Sequence, residues 1–382
     1  MKEAGMAIDG RLRDELLELS RAIHADPELA YEERRAADRI CGLLETHGHK
    51  VERKLGGLET AFRSRVGPAG PSVALLAEYD ALPDIGHACG HNLIAMTNVG
   101  AFLAVATDPK GLEIGVELIG TPAEEKGGGK IDLLDAGVFK ETVAALSSHG
   151  SGSPEWETTT VSLGIVAKRV AYKGVASHAA FSPDLGKNAL NGVIRLFVGV
   201  DGWRQHMPKD ARVHGVITNG GGPANNIVPA FAECTFGLRA KTVEELDGMV
   251  RTFEEIARGA ALQTGTEVTI TDEMRLYAPT KPHPRLGEIL REELRRQGVE
   301  AVPDVLVLAS TDFGNVSQVV PADYISFPVA TRRIGGHNIE MREASITDLA
   351  HRNALITVEA LAGAARRIAT DRDFRAGLDN RR

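Results

Sequence analysis

The sequence has few cysteines, no excess of positive charge and no long apolar run. Its three cysteines, Cys41, Cys89 and Cys234, are too few to form a disulfide framework. Acidic residues outnumber basic ones, 52 against 44, and the net charge of -8 argues against nucleic-acid binding as the main function. The sequence has no stretch of about 18 apolar residues that could span a membrane, and the first six residues lack the apolar core of a signal peptide. These absences predict a cytoplasmic protein without a membrane or nucleic-acid partner.

The order of apolar segments favours an α/β fold. Three short apolar runs are predicted strands: 73–77, 116–120 and 143–146. Helical patterns lie between them, around 94–107 and 130–136, and this alternation implies a mainly parallel sheet with helices on both faces. From 165 to 275 the predicted order changes to β-α-β-β-α-β, as in a ferredoxin-like α+β domain. We therefore predict an α/β domain formed by 1–164 and 276–382 and interrupted by this smaller domain.

The segment after the first predicted strand is rich in metal-binding residue types. Between Glu78 and Asn92 it holds carboxylates, two histidines and Cys89. Such ligands rarely lie this close together in sequence unless they hold an ion. One residue separates Cys89 from His91, so both can flank one side of an ion. For His87 two roles are open: a metal ligand, or a residue that supports a ligand. In open α/β sheets the carboxyl end of a strand is where ligands bind.

Further candidate ligands follow other predicted strands or lie near the C-terminal end. They are the pair Glu124 and Glu125, then His149, and His337 in a Gly-Gly-His-Asn segment. Each alone has a structural explanation, such as a buried core histidine or a solvated helix face. Cysteine, histidine and glutamate together suit zinc or a similar divalent ion, and five such residues, counting one glutamate of the pair, predict two ions.

The adjacent glutamates allow a division of labour. One carboxylate can coordinate metal while the other takes a proton from a metal-bound water, whose pKa the metal lowers towards roughly 7. A positioned general base adds a factor of about 10² to 10⁴ to the rate. The buried run before the pair, and Pro122 within it, favour this interpretation over a solvated face. The implied reaction is attack of hydroxide on a polarised carbonyl.

A glycine-rich stretch, Gly127 to Lys130, invites a phosphate-binding interpretation. It is followed by Ile131 rather than Ser or Thr and lacks the spacing of a P-loop. We predict instead that its glycines let the backbone pass close to the metal site.

Three segments of the sequence resemble a known enzyme family. They are 78–83 (Glu-Tyr-Asp-Ala-Leu-Pro), 86–92 (Gly-His-Ala-Cys-Gly-His-Asn) and 310–317 (Ser-Thr-Asp-Phe-Gly-Asn-Val-Ser). They are similar to the cocatalytic metallopeptidase and aminoacylase family, which includes glutamate carboxypeptidases and auxin-conjugate hydrolases. The likeness covers nearly the whole chain and is greatest to the branch of the p-aminobenzoyl-glutamate hydrolases and the β-alanyl-lysine dipeptidases. It implies a catalytic domain interrupted by a lid and dimerisation domain at 165–275, and therefore a homodimer.

The resemblance implies a ligand set for two divalent ions, with zinc or manganese expected. Cys89 would touch both ions. Glu125 and His337 would complete one metal site, and His91 and His149 would complete the other. This sequence has Asn92 where many relatives have aspartate, which fits the cysteine-containing branch.

The resemblance also implies roles beyond metal ligation. Glu124 would be the general base, and Asp80 would orient a metal ligand. His178 would reach the active site of a partner subunit and stabilise the developing oxyanion. Asn226 and Arg239 would bind substrate, because the guanidinium fork suits a carboxylate; an ion pair on a strand face is the alternative for Arg239.

Two catalytic functions and one non-catalytic function are consistent with these features. The first is a metal-dependent amidohydrolase that cleaves a dipeptide, an N-acyl amino acid or an aminobenzoyl-amino-acid conjugate. The alternative is a deaminase that releases ammonia from a small aromatic amine at the same dimetal site. A binding protein that has kept the fold would lack a ligand or the base, and none is missing from the sequence.

Overall fold

The computed structural model describes residues 8–222 and 224–378. The N-terminal segment 1–6, which contributed to the predicted cytoplasmic location, lies outside these residues. The chain divides into two compact units: unit 1 contains the chain up to 161, 280–307 and 311 onwards, and unit 2 contains 162–279 and 308–310. The catalytic and lid roles given to the predicted domains stay predictions.

The strands and helices alternate along much of the chain. The strands are β1 Val51–Arg53, β2 Phe62–Val66, β3 Ser72–Ala77, β4 Gly115–Gly120, β5 Thr142–Ser151, β6 Trp156–Thr158, β7 Val161–Ser162, β8 Gly164–Lys173, β9 Arg212–Asn219, β10 Phe231–Ala240, β11 Glu267–Asp272, β12 Ala301–Pro303, β13 Leu306–Val307 and β14 Ala322–Pro328. The helices are α1 Gly10–Ala25, α2 Arg34–Thr46, α3 His91–Ala106, α4 Gly129–Asp135, α5 Ala189–Arg204, α6 Val243–Thr264, α7 Pro284–Arg296, α8 Phe313–Val319, α9 Ile339–Ala344, α10 Asp348–Thr370 and α11 Arg372–Ala376. Short 3-10 turns occur at Leu55–Gly57 and Pro183–Leu185.

Unit 1 is built on an eight-stranded sheet in the order β1-β2-β4-β3-β5-β14-β6-β12. The central strands β4, β3, β5 and β14 are parallel to one another, and β1 and β2 form an antiparallel edge. Every residue of β3 and β4 is buried, as expected for parallel strands covered on both faces. This confirms the predicted α/β class with a mainly parallel sheet.

Side chains of β3 alternate between two hydrophobic cores. Val73, Leu75 and Ala77 belong to the core formed with α1, α2, α3, α7 and α10. Ala74 and Leu76 belong to a smaller core on the opposite face, formed with α4 and α8. Because successive strand residues point to opposite faces, this division shows that helices cover both sides of the sheet.

Helix α3 lies in the middle of unit 1. All its residues from His91 to Val105 are buried, which is typical of a helix that is apolar on every side. The apolar pattern predicts a start near Ile94, but the helix begins at His91, directly after Gly90 in a left-handed conformation with φ 85°. The first turn of a fully buried helix therefore carries a predicted metal ligand.

Unit 2 has the element order β8-α5-β9-β10-α6-β11 that the sequence predicts for the insert. Its four strands are antiparallel in the order β11-β8-β10-β9, and α5 and α6 share their core with the sheet. Strand β9 lies at the edge of this sheet and is exposed along most of its length. Nowhere in 8–222 or 224–378 is a helix long and apolar enough to cross a membrane.

Candidate metal centre

The predicted ligands are placed by the carboxyl ends of the parallel strands in unit 1. Strand β3 ends just before Glu78, and β4 ends just before the turn 121–125, which we call the glutamate turn. His149 lies inside β5 rather than after it, because the strand continues past its apolar half and pairs through His149 with Ser326 of β14. His337 lies in the loop between β14 and α9, with φ 54° and its backbone N–H bonded to the carbonyl of Ala88.

The structure brings the five predicted metal ligands together in two groups that share one residue. Ligand atoms of Cys89, His91 and His149 lie within 4.8 Å of one another, and so do those of Cys89, Glu125 and His337. Cys89 Sγ is 3.4 Å from His149 Nε2, and Glu125 Oε1 is 3.5 Å from His337 Nε2. The arrangement places the thiol where it can serve both groups.

Asp80 fixes the orientation of a neighbouring imidazole. Its Oδ1 accepts from His91 Nδ1 at 3.0 Å, and the Asp80 carbonyl lies 2.9 Å from the same nitrogen. Because the carboxylate requires a proton on Nδ1, the neutral ring keeps Nε2 as an acceptor that faces the other ligands. The second carboxylate oxygen of Asp80 accepts the backbone N–H of Glu125 at 2.9 Å. One side chain therefore positions both a histidine and the glutamate turn.

Two atoms of the cluster are buried without a hydrogen-bond partner among the residues described: His91 Nε2 and Glu125 Oε1. Such atoms are costly in an apolar interior unless something else satisfies them. Both are metal-ligating types, and each points towards the groups that share Cys89. The donor set of sulfur, nitrogen and carboxylate oxygen therefore fits divalent ions of the zinc class.

A third group of possible ligands contains Glu78, His91 and Glu124, all of them buried. Glu78 had no predicted role. Its Oε1 accepts from Lys130 Nζ at 2.7 Å, and the same ammonium contacts Asp312 Oδ1 at 2.6 Å. Sequence reasoning missed Lys130 and Asp312 as a site-supporting pair, because they lie 182 residues apart. The only local signal at the lysine was its place in a glycine-rich stretch.

The cluster is rich in negative charge. Burial raises the pKa of Glu124 well above its usual range, and the neighbouring charges of Glu78 and Glu125 raise it further. Burial alone would lower the pKa of Lys130, but Asp312 and Glu78 outweigh it and raise that pKa. A buried group of carboxylates favours added positive charge, and bound divalent ions supply such charge.

Three further predicted residues lie in unit 2. His178 is exposed, and its Nδ1 accepts the backbone N–H groups of Ala180 and Phe181 at 3.2 and 3.0 Å. The segment of His178 is bonded to that of Asn226, because Ala179 N donates to the Asn226 carbonyl at 2.8 Å. The structure therefore brings these two predicted residues together.

Arg239 is placed by strand β10. Its Nη1 donates to Ser310 Oγ at 2.8 Å, within unit 2. Among the residues described, no carboxylate forms an ion pair with Arg239, although carboxylates of the same sheet pair with Arg169 and Lys168. This arrangement gives no support to the alternative of a strand-face ion pair.

The parallel sheet and its ligand cluster define an α/β protein with a candidate two-metal centre. The chain belongs to peptidase family M20/M25/M40, whose family model matches residues 74–356. The resemblance seen in the sequence is thereby confirmed. The protein is a hydrolase that acts on C–N bonds, in a family of metal-dependent peptidases and amidohydrolases.

Named relatives and solved structures support this placement. The chain is 39% identical over 368 residues to a mouse (Mus musculus) Xaa-Arg dipeptidase, covering 90% of this chain and 83% of that protein. It is 34% identical over 285 residues to one of the subunits of p-aminobenzoyl-glutamate hydrolase from Escherichia coli K12, covering 68% and 59%. A dinuclear metal-binding peptidase of family M20 from Bacillus subtilis has the same fold, with a TM-score of 0.75 at 19% identity over 94% of this chain and 99% of that one.

Proposed function

We propose that the protein is a dimetal amidohydrolase that cleaves the amide bond of a dipeptide, an N-acyl amino acid or an aminobenzoyl-amino-acid conjugate. The observation that carries this proposal is the pair of ligand groups that share Cys89, with Glu124 beside them. Dipeptides that end in arginine are the first substrates to test, because the mouse relative is named for them. A cytoplasmic location belongs to the proposal, since all three cysteines are free.

In this proposal Cys89 would be a ligand shared by two divalent ions, zinc or manganese. Glu125 and His337 would hold one ion, and His91 and His149 would hold the other. When bound, the ions would supply positive charge that polarises the substrate carbonyl and lowers the pKa of a coordinated water towards roughly 7. The remaining chemistry belongs to side chains of the protein.

Glu124 takes the proton from the attacking water and delivers it to the nitrogen of the leaving group. Its Oε2 is 3.8 Å from His91 Nε2, so it lies beside the ligands while Glu125 is directed towards Cys89 and His337. A carboxylate in this position can act as base in the first step and as acid in the second. Asp80 holds the turn by accepting the N–H of Glu125. The fixed turn lets the two glutamates have different roles.

His178 supports the developing oxyanion by donating from Nε2. Because its Nδ1 accepts two backbone N–H groups, the neutral ring carries its proton on Nε2. Oxyanion donors of this kind contribute about 3 kcal/mol to catalysis. Arg239 and Asn226 bind the substrate, with the guanidinium of Arg239 directed to its carboxylate.

We further propose a homodimer that forms through unit 2. Strand β9 is an edge strand whose Val216 and Ile217 are 58% and 43% exposed. Exposed apolar edges are unfavourable in water and favour pairing with a second strand. The occupant that suits this edge is the same strand of a second copy, and such a dimer would deliver His178 to a partner's site.

Two single variants and their mixture test the proposal. Glu124→Gln should lose nearly all turnover because an amide cannot accept the proton, and His178→Ala should lose most turnover because the oxyanion donor is gone. Each homodimer should keep the metal content of the wild type. When the two variants are co-expressed, mixed dimers contain one complete site, so activity should return to about a quarter of the wild-type level. Substrate cleavage and metal content are measured on the same samples by mass spectrometry.

Each part of the proposal can fail separately. Turnover by the Glu124→Gln variant would contradict the assignment of the general base. No recovery in the mixture would contradict delivery of His178 across an interface. Release of ammonia from aromatic amines, with no cleavage of any amide, would favour the deaminase alternative.

A further inference from the structure

The glutamate turn is held by two buried carboxylates that accept alternate backbone N–H groups. Asp80 accepts the N–H of Glu125, and Glu33 accepts the N–H of Ala123 at 2.8 Å. Glu124 lies between these two anchored amides. We propose that Glu33, which lies directly before α2, is a positioning residue that fixes the glutamate turn. The inference rests on the proposed function, because it assumes that Glu124 and Glu125 act at the metal centre.

The contacts of Glu33 are specific, and those with Ala123 and Thr60 are buried. Its Oε1 accepts from the N–H groups of both Ala123 and Tyr31, each at 2.8 Å, and its Oε2 accepts from Thr60 Oγ1 at 3.0 Å. The side chain is fully buried, and Ala123 is 90 residues away in the chain. This buried carboxylate accepts hydrogen bonds from three donors. It thereby links two segments that are far apart in the sequence.

The backbone of the turn requires such support. Ala123 has φ 60°, in the left-handed region that residues with a Cβ rarely adopt. The unusual conformation lies immediately before Glu124, so any relaxation at Ala123 would move the carboxylates that follow. The hydrogen bond from Ala123 N to Glu33 therefore stabilises the conformation that aims them.

The same N-terminal segment also contacts the far side of the turn. Tyr31 donates from its hydroxyl to Asp132 Oδ2 of α4 at 2.7 Å. Its ring lies so close to Gly127 that a Cβ there would be 2.3 Å from the ring. Segment 31–33 thus holds the chain both before and after the two glutamates.

Glu33 makes these contacts without a cation. Among the residues described it has no salt-bridge partner, and burial together with the charge of Asp80 raises its pKa to about 7. The accepting oxygen matters more than the charge, because a neutral carbonyl oxygen at Oε1 accepts the same two N–H groups. A glutamine should therefore replace Glu33 with little loss of kcat or of metal retention. If Glu33 acted only through its negative charge, this substitution would cause a loss.

Variants at Glu33 separate positioning from general stability. Glu33→Ala should lower kcat roughly tenfold to a hundredfold while KM changes little, because small displacements of catalytic groups have effects of this size. It should also release metal from the holoenzyme at a lower chelator concentration, since Glu125 is displaced too. Glu33→Gln should restore both properties. Glu33→Asp, which keeps the charge but is one methylene shorter, should reproduce the loss of kcat in a folded protein.

Thr60→Val is the matched control. It removes the hydrogen bond to Oε2 and leaves both bonds to Oε1, so it should lower the melting temperature without changing kcat or metal retention. Wild-type kcat and metal retention in both the Ala and Asp variants would overturn the inference, and so would an equal loss of kcat in Thr60→Val. These results are distinct from failure of the proposed function, which is judged by whether Glu124→Gln still turns over.

Discussion

Burial of single residues changes their ionisation even far from the metal centre. His351 of α10 is 2% exposed, and its Nε2 is 3.1 Å from Ser20 Oγ of α1. Burial lowers the pKa of His351 to about 4; the charges of Arg21 and His24 lower it further, and Asp348 opposes them. The ring is therefore neutral in the folded protein at pH values where an exposed histidine is protonated.

This shift predicts acid-sensitive stability. Between about pH 6.5 and pH 4 the unfolded chain binds a proton at His351 that the folded chain does not, so stability falls as the pH falls through this window. At pH 4.5 the contribution amounts to roughly 2 kcal/mol. His351→Gln should therefore reduce the loss of unfolding free energy between pH 7 and pH 4.5, measured by urea denaturation. An unchanged pH dependence in His351→Gln would contradict the assignment.

Residue type alone identified the candidate ligands but not the residues that hold them. Cys89 and His91 were recognisable because soft ligands cluster within one short segment. Glu33 and Lys130 were not recognisable, because each acts on a residue that only the fold brings near. A glutamate before a helix or a lysine after glycines is common in sequences, and neither carries a local signal of its partner.

At the scale of elements, the join between β4 and α4 depends on a glycine. Gly129 begins α4, and a Cβ at this position would lie 2.0 Å from the carbonyl oxygen of Pro122. That atom belongs to the backbone of the glutamate turn and cannot rotate away. The glycines of this stretch were predicted to allow close backbone approach, and at Gly129 the approach is to the turn that carries Glu124 and Glu125.

Gly129→Ala should therefore affect both stability and catalysis. Overpacking of this kind costs about 1–3 kcal/mol, and relief of the clash requires the glutamate turn to move. We expect a lower free energy of unfolding in urea together with a lower kcat. The control is Gly42→Ala in α2, where a Cβ meets nothing within 4 Å; it should be neutral or slightly stabilising, as alanine favours helix. A fully active Gly129→Ala variant would show that the turn tolerates displacement.

The ends of helices and strands were predictable where the apolar periodicity is long. The prediction failed where function or strand pairing sets the end. The start of α3 was misplaced by three residues, because His91 is polar by type yet lies in the first buried turn. The predicted end of β5 was too early, since its polar half is held by pairing with β14. Strands of two or three residues such as β7 have too little pattern to be recognised.

At the scale of the whole molecule, the alternation of strands and helices predicted the class, but not the strand order. Strand β14 follows the insert in sequence, yet it lies beside β5 in the sheet of unit 1. Only the packed sheet determines that neighbour, because any parallel strand satisfies the same local pattern. The change of element order in the insert was visible, since β-α-β-β-α-β differs from simple alternation.

The two units have separate hydrophobic cores, and all the candidate metal ligands belong to unit 1. A ligand that binds only the folded state stabilises it by about 2.7 kcal/mol at a hundred times its dissociation constant. Removing metal should therefore lower the melting temperature of unit 1 and leave that of unit 2 unchanged. The chain's two tryptophans can report this, because Trp156 packs on the core of unit 1 and Trp203 on that of unit 2.

Two single-tryptophan variants make the measurement. Trp203→Phe leaves the reporter in unit 1, and its fluorescence transition should shift to lower temperature after chelation and return when Zn²⁺ or Mn²⁺ is added. Trp156→Phe leaves the reporter in unit 2, and its transition should be the same in both states. The control is Glu124→Gln in the Trp203→Phe background, which keeps the five ligands and should show the same shift. Equal shifts at both tryptophans would mean that metal stabilises the chain as one cooperative unit, and no shift at either would contradict a metal centre built from these residues.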